Sequence, residues 1–277
     1  MTESAQEILI RPGQTVRHYW RGLWLYRELL WFLSWRDVLV RYKQTAIGIA
    51  WALVRPLLTM LIFTVVFSVV ARLPSDGEVP YALLVFTGLL PWFFFASALS
   101  ETSNSLLANE RMITKIYFPR LVIPLSSILV TLVDFIISGL LLLSLFLWFS
   151  FYPDWRAVFV PLFGLLGLSA ALGPGLLMSA LNVKFRDFRY VVPFIVQLGL
   201  YISPVGYSSS LVPEPWRLLY SLNPMVGVID GFRWSLLGGE FDLYWSGFAA
   251  SLAVNFLLLI TGLAYFRRAE RSFADVI

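Results

Sequence analysis

The chain has 277 residues, of which 58% are hydrophobic and 14% charged, and its net charge at pH 7 is +4. A soluble domain of this size cannot bury so much apolar surface, so the composition excludes that class and predicts an all-α, polytopic membrane protein. The absence of cysteine and the single histidine exclude disulfides, thiolate metal sites and histidine clusters, and we expect no metal ion, no catalytic residue and no nucleic-acid partner.

The first 46 residues are basic and rich in tryptophan. Four tryptophans would lie within about 60° of one another on a helix: Trp20, Trp24, Trp31 and Trp35. A helix with this stripe beside arginines is typical of one that lies in the headgroup layer and does not span the membrane. We predict an amphipathic interface helix here. It is either a surface anchor alone or also a contact for a cytoplasmic partner or a lipid headgroup.

Six stretches are apolar over about 20 residues, the length that crosses a bilayer. They cover residues 47–70, 81–103, 121–150, 157–181, 190–208 and 244–266. Lys and Arg concentrate before the first stretch, in the loops 104–120 and 182–189, and after the last stretch, which places these parts and both termini in the cytoplasm. The prediction is a single transmembrane domain over residues 1–277, made of a cytoplasmic interface segment (1–46), six spans (47–267) and a cytoplasmic tail (268–277).

Arg55 lies about two turns into the first span, where an isolated cation is costly unless a carboxylate or water accompanies it. Glu101, near the cytoplasmic end of the second span, lies at a similar depth, whereas Asp134 is deeper by about 9–10 Å. We therefore predict a buried Arg55–Glu101 ion pair that braces two helices. A functional relay is the alternative, but relays use several intramembrane charges.

A short charged stretch, NERMITKIYFPR, separates the second and third spans, and we call these residues 109–120 the linker segment. It mixes charged side chains with Ile113, Ile116, Tyr117 and Phe118. A short amphipathic helix on the cytoplasmic face can dock into a groove of another protein. The alternative is a solvated turn, which is the usual role of a charged run.

Residues 201–240 lie between the last two spans and contain several prolines, yet they stay apolar and aromatic. Two short helices, about 213–221 and 224–237, fit this pattern, and both are too short to span. Broken backbone at membrane depth must be buried in protein or line a cavity. We therefore predict two re-entrant helices that cap a pathway.

Two other classes of protein fit the pattern less well. A secondary transporter or channel would use a relay of intramembrane carboxylates, and Asp134 stands nearly alone. A membrane enzyme would need a cluster of histidine, cysteine or carboxylate side chains. No GxxxxGK loop is present, so this chain does not bind ATP by that route.

Four segments, in their order and spacing, resemble the membrane subunit of bacterial ABC polysaccharide exporters. They are RDVLVRYKQTAIGIAWALVRPLL (36–58), LLPWFFFASALSETSNSLLANERMITKIYFPRLVIP (89–124), LNVKFRDFRYVVPF (181–194) and SPVGYSSSLVPEPWRLLYSLNPMVGVIDGFRW (203–234). The resemblance covers about residues 30–270 and is closest to the permease that exports lipid-linked O-antigen, with teichoic acid and capsule exporters as relatives. A small-lipid or drug exporter is the alternative within this class.

The resemblance implies a homodimer in the bacterial inner membrane, among membrane lipids, with two copies of a separate ATPase chain beneath it. ATP and Mg²⁺ would bind to that chain, and this one would carry no cofactor. The substrate would be a polysaccharide linked to polyprenyl diphosphate. The linker segment would hold the coupling helix, and its residues facing the ATPase would be Glu110, Arg111, Ile113, Lys115, Tyr117 and Phe118. The gate at the periplasmic end would include Pro204, Pro213, Trp216 and Pro224.

The resemblance also implies a pathway along the dimer axis, between the first and fifth spans. The aromatic residues expected to line it are Trp51, Trp92, Phe95 and Tyr201. The consecutive aromatics at 92–95 suit either an outer interfacial belt or a surface on which sugar rings stack. Basic residues at the cytoplasmic surface would attract the diphosphate headgroup by charge, and these are Arg36, Arg41, Lys43 and Arg186.

Overall fold

The computed structural model describes residues 19–43, 48–75, 79–116, 118–270 and 273. Every regular element in these ranges is helical, which confirms the predicted all-α class. The α-helices are, in chain order, α1 (Tyr19–Leu25), α2 (Arg27–Lys43), α3 (Gly48–Phe63), α4 (Tyr81–Ala108), α5 (Glu110–Ile113), α6 (Val122–Trp148), α7 (Val160–Lys184), α8 (Phe188–Ile202), α9 (Glu214–Tyr220), α10 (Pro224–Leu236) and α11 (Trp245–Ala269).

Five helical stretches of the described chain are long and apolar enough to cross a membrane. They are α3 with the π-helix that continues it (Ala50–Val70), α4, α6, α7 with the 3₁₀ turn before it (Trp155–Lys184), and α11. The predicted fifth span is α8, which has 15 residues and is therefore about 22 Å long at 1.5 Å per residue. It ends at Ile202 because Ser203 precedes Pro204, a position that disfavours helical backbone.

Helix α4 lies at the centre of the molecule, where it packs against α6, α7 and α10. We compared an 18-residue apolar stretch of each helix. In α4, 83% of that stretch is buried, whereas in the span that contains α3 only 17% is buried. Helix α3 contacts α4 and α6 and leaves most of its surface uncovered. The second span is thus the central helix of the fold, and the first span lies at its edge.

Helices α7 and α11 touch backbone to backbone at two glycines. A Cβ atom on Gly262 would lie 2.0 Å from the carbonyl oxygen of Gly173, and a Cβ on Gly173 would lie 2.5 Å from that of Leu258. Small residues at such crossings allow helices in a membrane to approach closely and gain dispersion contacts. No residue with a side chain fits either position without moving a helix.

Hydrophobic side chains form two clusters in the described structure. The larger surrounds the first two-thirds of α4. The second, which we call the platform cluster, joins the end of α4 to α2, the linker segment and the end of α11. Its most buried members include Leu33, Leu106, Ile113, Phe118 and Phe266.

The predicted interface helix is present as α1 and α2, separated at Tyr26. All four tryptophans of the predicted stripe are more than half exposed. On the opposite side, Gly22 of α1 faces the ring of Pro119, because a Cβ there would lie 3.7 Å from the proline Cγ. The two helices therefore rest on the platform cluster and turn their indole rings outward.

Candidate functional site

The linker segment has two faces. Ile113, on α5, and Phe118 are 2% and 1% exposed and belong to the platform cluster. Glu110, Arg111 and Lys115 are exposed on the other side. The apolar residues thus fix the segment to the protein, and the charged residues form a small projecting surface.

This arrangement corrects two of the predicted ATPase contacts. Ile113 and Phe118 are buried within this chain, because the platform cluster supplies the apolar surroundings that a partner groove was expected to supply. Tyr117 lies outside the described residues. Ile116, which was not predicted as a contact, is 56% exposed beside Lys115 and gives the projecting surface an apolar side chain.

A second polar group joins the end of α2 to α4 and α6. The Arg41 guanidinium lies 2.9 Å from Asp134 Oδ2 and 3.4 Å from Glu101 Oε1. The Tyr42 hydroxyl donates a hydrogen bond to Asp134. Burial, together with this hydrogen bond, raises the pKa of Tyr42, so its hydroxyl stays protonated and remains a donor.

The predicted Arg55–Glu101 ion pair is therefore wrong: among the described residues, Glu101 pairs with Arg41. Helix α2 packs along α6 and brings Arg41 to both carboxylates. Arg55 is exposed on α3, and its guanidinium lies 5.5 Å from the centre of the Phe93 ring, at the distance of a cation–π contact.

Arg41→Ala is expected to lower the free energy of unfolding by about 1–2 kcal/mol, mainly because Asp134 loses a charged hydrogen bond in a partly buried site. The longer, exposed contact with Glu101 contributes little. The check is thermal unfolding in one detergent, repeated with Asp134→Asn as the background. An equal loss in both backgrounds would show that the two side chains do not stabilise each other.

The four predicted headgroup residues differ in their surroundings. Arg36 lies 2.7 Å from Asp37 Oδ1 and donates to Asn109 Oδ1 at 3.1 Å. Arg41 contacts two carboxylates. The positive charges of Arg36 and Arg41 are therefore partly neutralised by carboxylates of this chain. Lys43 and Arg186 are exposed.

The first and fifth predicted spans, α3 and α8, approach each other near their ends, at Phe63 and Tyr201. The rings of Phe63 on α3 and Tyr201 on α8 have centroids 6.4 Å apart. Tyr201 and Trp51 are each 61% exposed, and the other exposed side chains of these two helices are largely apolar. Both helices thus have an uncovered apolar side, and we call these two sides together the α3–α8 face.

Trp92 and Phe95, also predicted to line the pathway, are 3% and 7% exposed and do not reach that face. Their rings contact each other with centroids 5.3 Å apart. The Trp92 ring also presses on Gly199 of α8, where a Cβ would lie 2.6 Å from it. The prediction that these two residues line the pathway is therefore wrong. They are buried because α4 is the central helix, and Trp92 packs against the inner side of α8.

The predicted short helices of residues 201–240 are confirmed as α9 and α10. Pro213 precedes α9. On that helix, Trp216 is 62% exposed. Pro224 begins α10, and the side chain of Asn223 caps that helix by accepting from Met225 N. Pro204 is buried in the turn after α8.

Arg233, on α10, is fully buried, and the sequence analysis assigned it no role. Its guanidinium donates to the carbonyl oxygens of Leu84 at 3.2 Å, Val205 at 3.0 Å and Tyr207 at 2.8 Å. It thereby joins α10 to α4 and to the turn after α8. The sequence does contain a sign of this burial. At 100° per residue, Arg233 shares one side of α10 with the apolar residues Ile229, Phe232 and Leu236.

Comparisons with known proteins agree with this architecture. The ABC-2 type transporter family matches residues 28–237. An O-antigen export system permease protein RfbA of Klebsiella pneumoniae is 29% identical over 90% of this chain and 95% of its own length. RfbA of Myxococcus xanthus is 31% identical over 77% of this chain and 82% of its own length. The inner membrane transport permease YadH of Escherichia coli K12 is 28% identical over 67% of this chain and 75% of its own length.

The family match runs from α2 to the end of α10. It therefore includes the linker segment, the uncovered α3–α8 face and the buried Arg233. The relatives described above align with 67% to 90% of this chain, and all of them are permeases. This chain is therefore a multi-pass membrane permease that belongs to the ABC-2 type transporter family.

Proposed function

We propose that this permease exports a lipid-linked O-antigen polysaccharide across the inner membrane, driven by ATP that a separate ATPase chain hydrolyses. Two copies of the permease and two of the ATPase form the complex, and both termini lie in the cytoplasm. The observation that carries the proposal is the linker segment, an exposed charged surface fixed to the platform cluster. The similarity to O-antigen export permeases supports the substrate class.

The linker segment connects two spans directly. Helix α4 ends at Ala108 and α6 begins at Val122, so a push on the exposed surface reaches both helices through few residues. Ile113 and Phe118 hold the segment against the platform cluster, which makes it a firm point of contact. ATP-driven closure of the two ATPases would thus move spans relative to one another, as in other ligand-driven closures.

The substrate would pass along the α3–α8 face, where two copies of the permease meet. Trp51 and Tyr201 offer exposed ring faces, which suit the C–H faces of sugar rings without selecting one sugar sequence. Lys43 and Arg186 would draw the diphosphate to the cytoplasmic surface by charge.

A deletion strain tests the substrate class. Lipid extracts are taken and polyprenyl-linked glycan is followed on each side of the inner membrane. The expected result is long lipid-linked glycan on the cytoplasmic side and loss of surface polysaccharide. If surface polysaccharide is unchanged and no intermediate builds up, the polysaccharide proposal fails, and a small-molecule substrate becomes the leading alternative.

A charge reversal at the linker segment tests the ATPase contact. Arg111→Glu combined with Lys115→Glu is expected to reduce the ATPase recovered with the purified permease roughly 10-fold, because both side chains are exposed and charge complementarity guides association. Lys115→Arg keeps the charge and should recover the wild-type amount. Equal ATPase recovery from the reversed and wild-type permeases would contradict the contact.

A further inference from the structure

The carboxylate of Glu270 joins three parts of the chain that are far apart in sequence. Glu270 directly follows α11. Its Oε1 accepts a hydrogen bond from the backbone N–H of Arg120 at 2.7 Å, and its Oε2 accepts one from the Tyr19 hydroxyl at 2.8 Å. We call Tyr19, Arg120 and Glu270 the three-way clamp. It links α1, the end of the linker segment and the end of the last span.

Glu270 also lies close to the first turn of α6, because Arg120 is two residues before Val122. Leu121 precedes α6 and offers no side-chain hydrogen bond to that helix. The first N–H groups of a helix lack partners within it and carry partial positive charge, so a carboxylate nearby is favourable. Glu270 supplies that carboxylate from another helix, next to the residue where the linker segment turns into α6.

The surroundings of the clamp hold its members in place. The Arg267 guanidinium lies 4.8 Å from the centre of the Tyr19 ring. Phe266 and Phe273 are buried, with ring centroids 5.4 Å apart. Burial raises the pKa of Glu270, although its hydrogen bonds and the charges of Arg120 and Arg267 oppose this shift. Burial also raises the pKa of Tyr19, whose hydroxyl therefore remains a donor.

We propose that Glu270 is a positioning residue for coupling: it holds α1, the linker segment and α11 as one rigid unit, so that a push on the linker segment also moves the last span. The proposal rests on the proposed function for its consequence in transport. The geometry of the clamp is independent of it. The contact of Gly22 with Pro119 belongs to the same unit, because it places α1 directly against the linker segment.

A distance measurement tests the rigid unit without the ATPase. The chain has no cysteine, so nitroxide labels can be placed by Leu25→Cys on α1 and Lys115→Cys on the linker segment, two exposed positions. The full chain is placed in lipid nanodiscs and diluted with unlabelled chain, so that distances within one copy dominate. Glu270→Ala is expected to broaden the distance distribution, because both hydrogen bonds of the carboxylate are lost.

Three further variants make the measurement specific. Glu270→Gln keeps an acceptor for Arg120 N–H and a polar partner for Tyr19, and should restore the narrow distribution. Tyr19→Phe removes one hydrogen bond with little change in shape and should broaden it less than Glu270→Ala. Glu28→Ala removes an exposed carboxylate of α2 and serves as the control, with no broadening expected.

The Glu270, Tyr19 and Glu28 variants, without the two label cysteines, are then measured with the ATPase in proteoliposomes. Glu270→Ala is expected to reduce the glycan exported per ATP hydrolysed by roughly 5- to 10-fold, within the range of coupling between sites, while ATP hydrolysis continues. An unchanged distance distribution in Glu270→Ala, or a Glu270→Gln variant as broad as Glu270→Ala, overturns the proposal. If wild-type permease recovers no ATPase, the proposed function fails, and the distance measurement still decides on the clamp.

Discussion

Arg233→Met is expected to lower the free energy of unfolding by roughly 3–5 kcal/mol and to reduce the amount of folded protein in the membrane. The guanidinium is fully buried and is bonded to three carbonyl oxygens on two different parts of the chain. Methionine fills a similar space but leaves the oxygens of Val205 and Tyr207 without this donor, whereas Leu84 O still accepts from the Thr87 hydroxyl. Each buried acceptor that loses its partner costs about 1–3 kcal/mol.

The measurement is the thermal unfolding midpoint in a fixed detergent, together with the monodisperse yield. Arg233→Lys should be intermediate, because an ammonium group cannot reproduce the planar fork that reaches several carbonyls. Arg189→Met is the matched control: this exposed guanidinium stacks on Tyr190, so its loss should cost less than about 0.5 kcal/mol. If Arg233→Met unfolds at the same temperature as Arg189→Met, the bonding network does not stabilise the fold.

Gly262→Ala is expected to destabilise the packing of α11 on α7 by about 3 kcal/mol. The new Cβ would lie 2.0 Å from the carbonyl oxygen of Gly173, and a backbone atom cannot rotate away as a side chain can. The two helices must therefore separate, which also weakens the dispersion contacts around the crossing. Gly173→Ala should behave in the same way, since its Cβ would meet the backbone at Leu258.

Gly139→Ala on α6 is the control for these substitutions. No heavy atom beyond the adjacent residues and backbone of α6 itself lies within 4 Å of a Cβ placed there, so alanine should stabilise the helix by about 0.5–1 kcal/mol. The comparison separates steric contact from helix propensity, because all three changes replace glycine by alanine inside a helix. Similar unfolding temperatures for Gly262→Ala and Gly139→Ala would contradict the backbone contact.

The fold class and most of the spans follow from composition and hydrophobic length, because these reflect the bilayer and not the details of packing. The helices α9 and α10 were also predictable, since prolines at their first turns mark where they begin. The length of α8 was overestimated, because the apolar run continues past Ser203 into a buried turn. Hydropathy cannot distinguish a buried turn from a continuing span.

The contacts of charged side chains were harder to predict. Depth along a span suggested Glu101 as the partner of Arg55, but depth says nothing about which way a residue faces around the helix. Arg41 pairs with Glu101 because α2 folds back along α6. In the linker segment, the sequence shows an amphipathic pattern and leaves open which partner covers the apolar side. The structure shows that the chain covers Ile113 and Phe118 itself.

The unequal burial of α4 and α3 affects which amino-acid substitutions each helix can tolerate during evolution. On α3, where only 17% of the apolar stretch is buried within the chain, replacing one apolar residue by another changes few contacts of this chain. On α4, where 83% is buried, a change of even one methylene alters a close-packed contact. Side-chain volume within the chain thus limits substitution in the second span, whereas in the first span the limit is set by what meets its uncovered side.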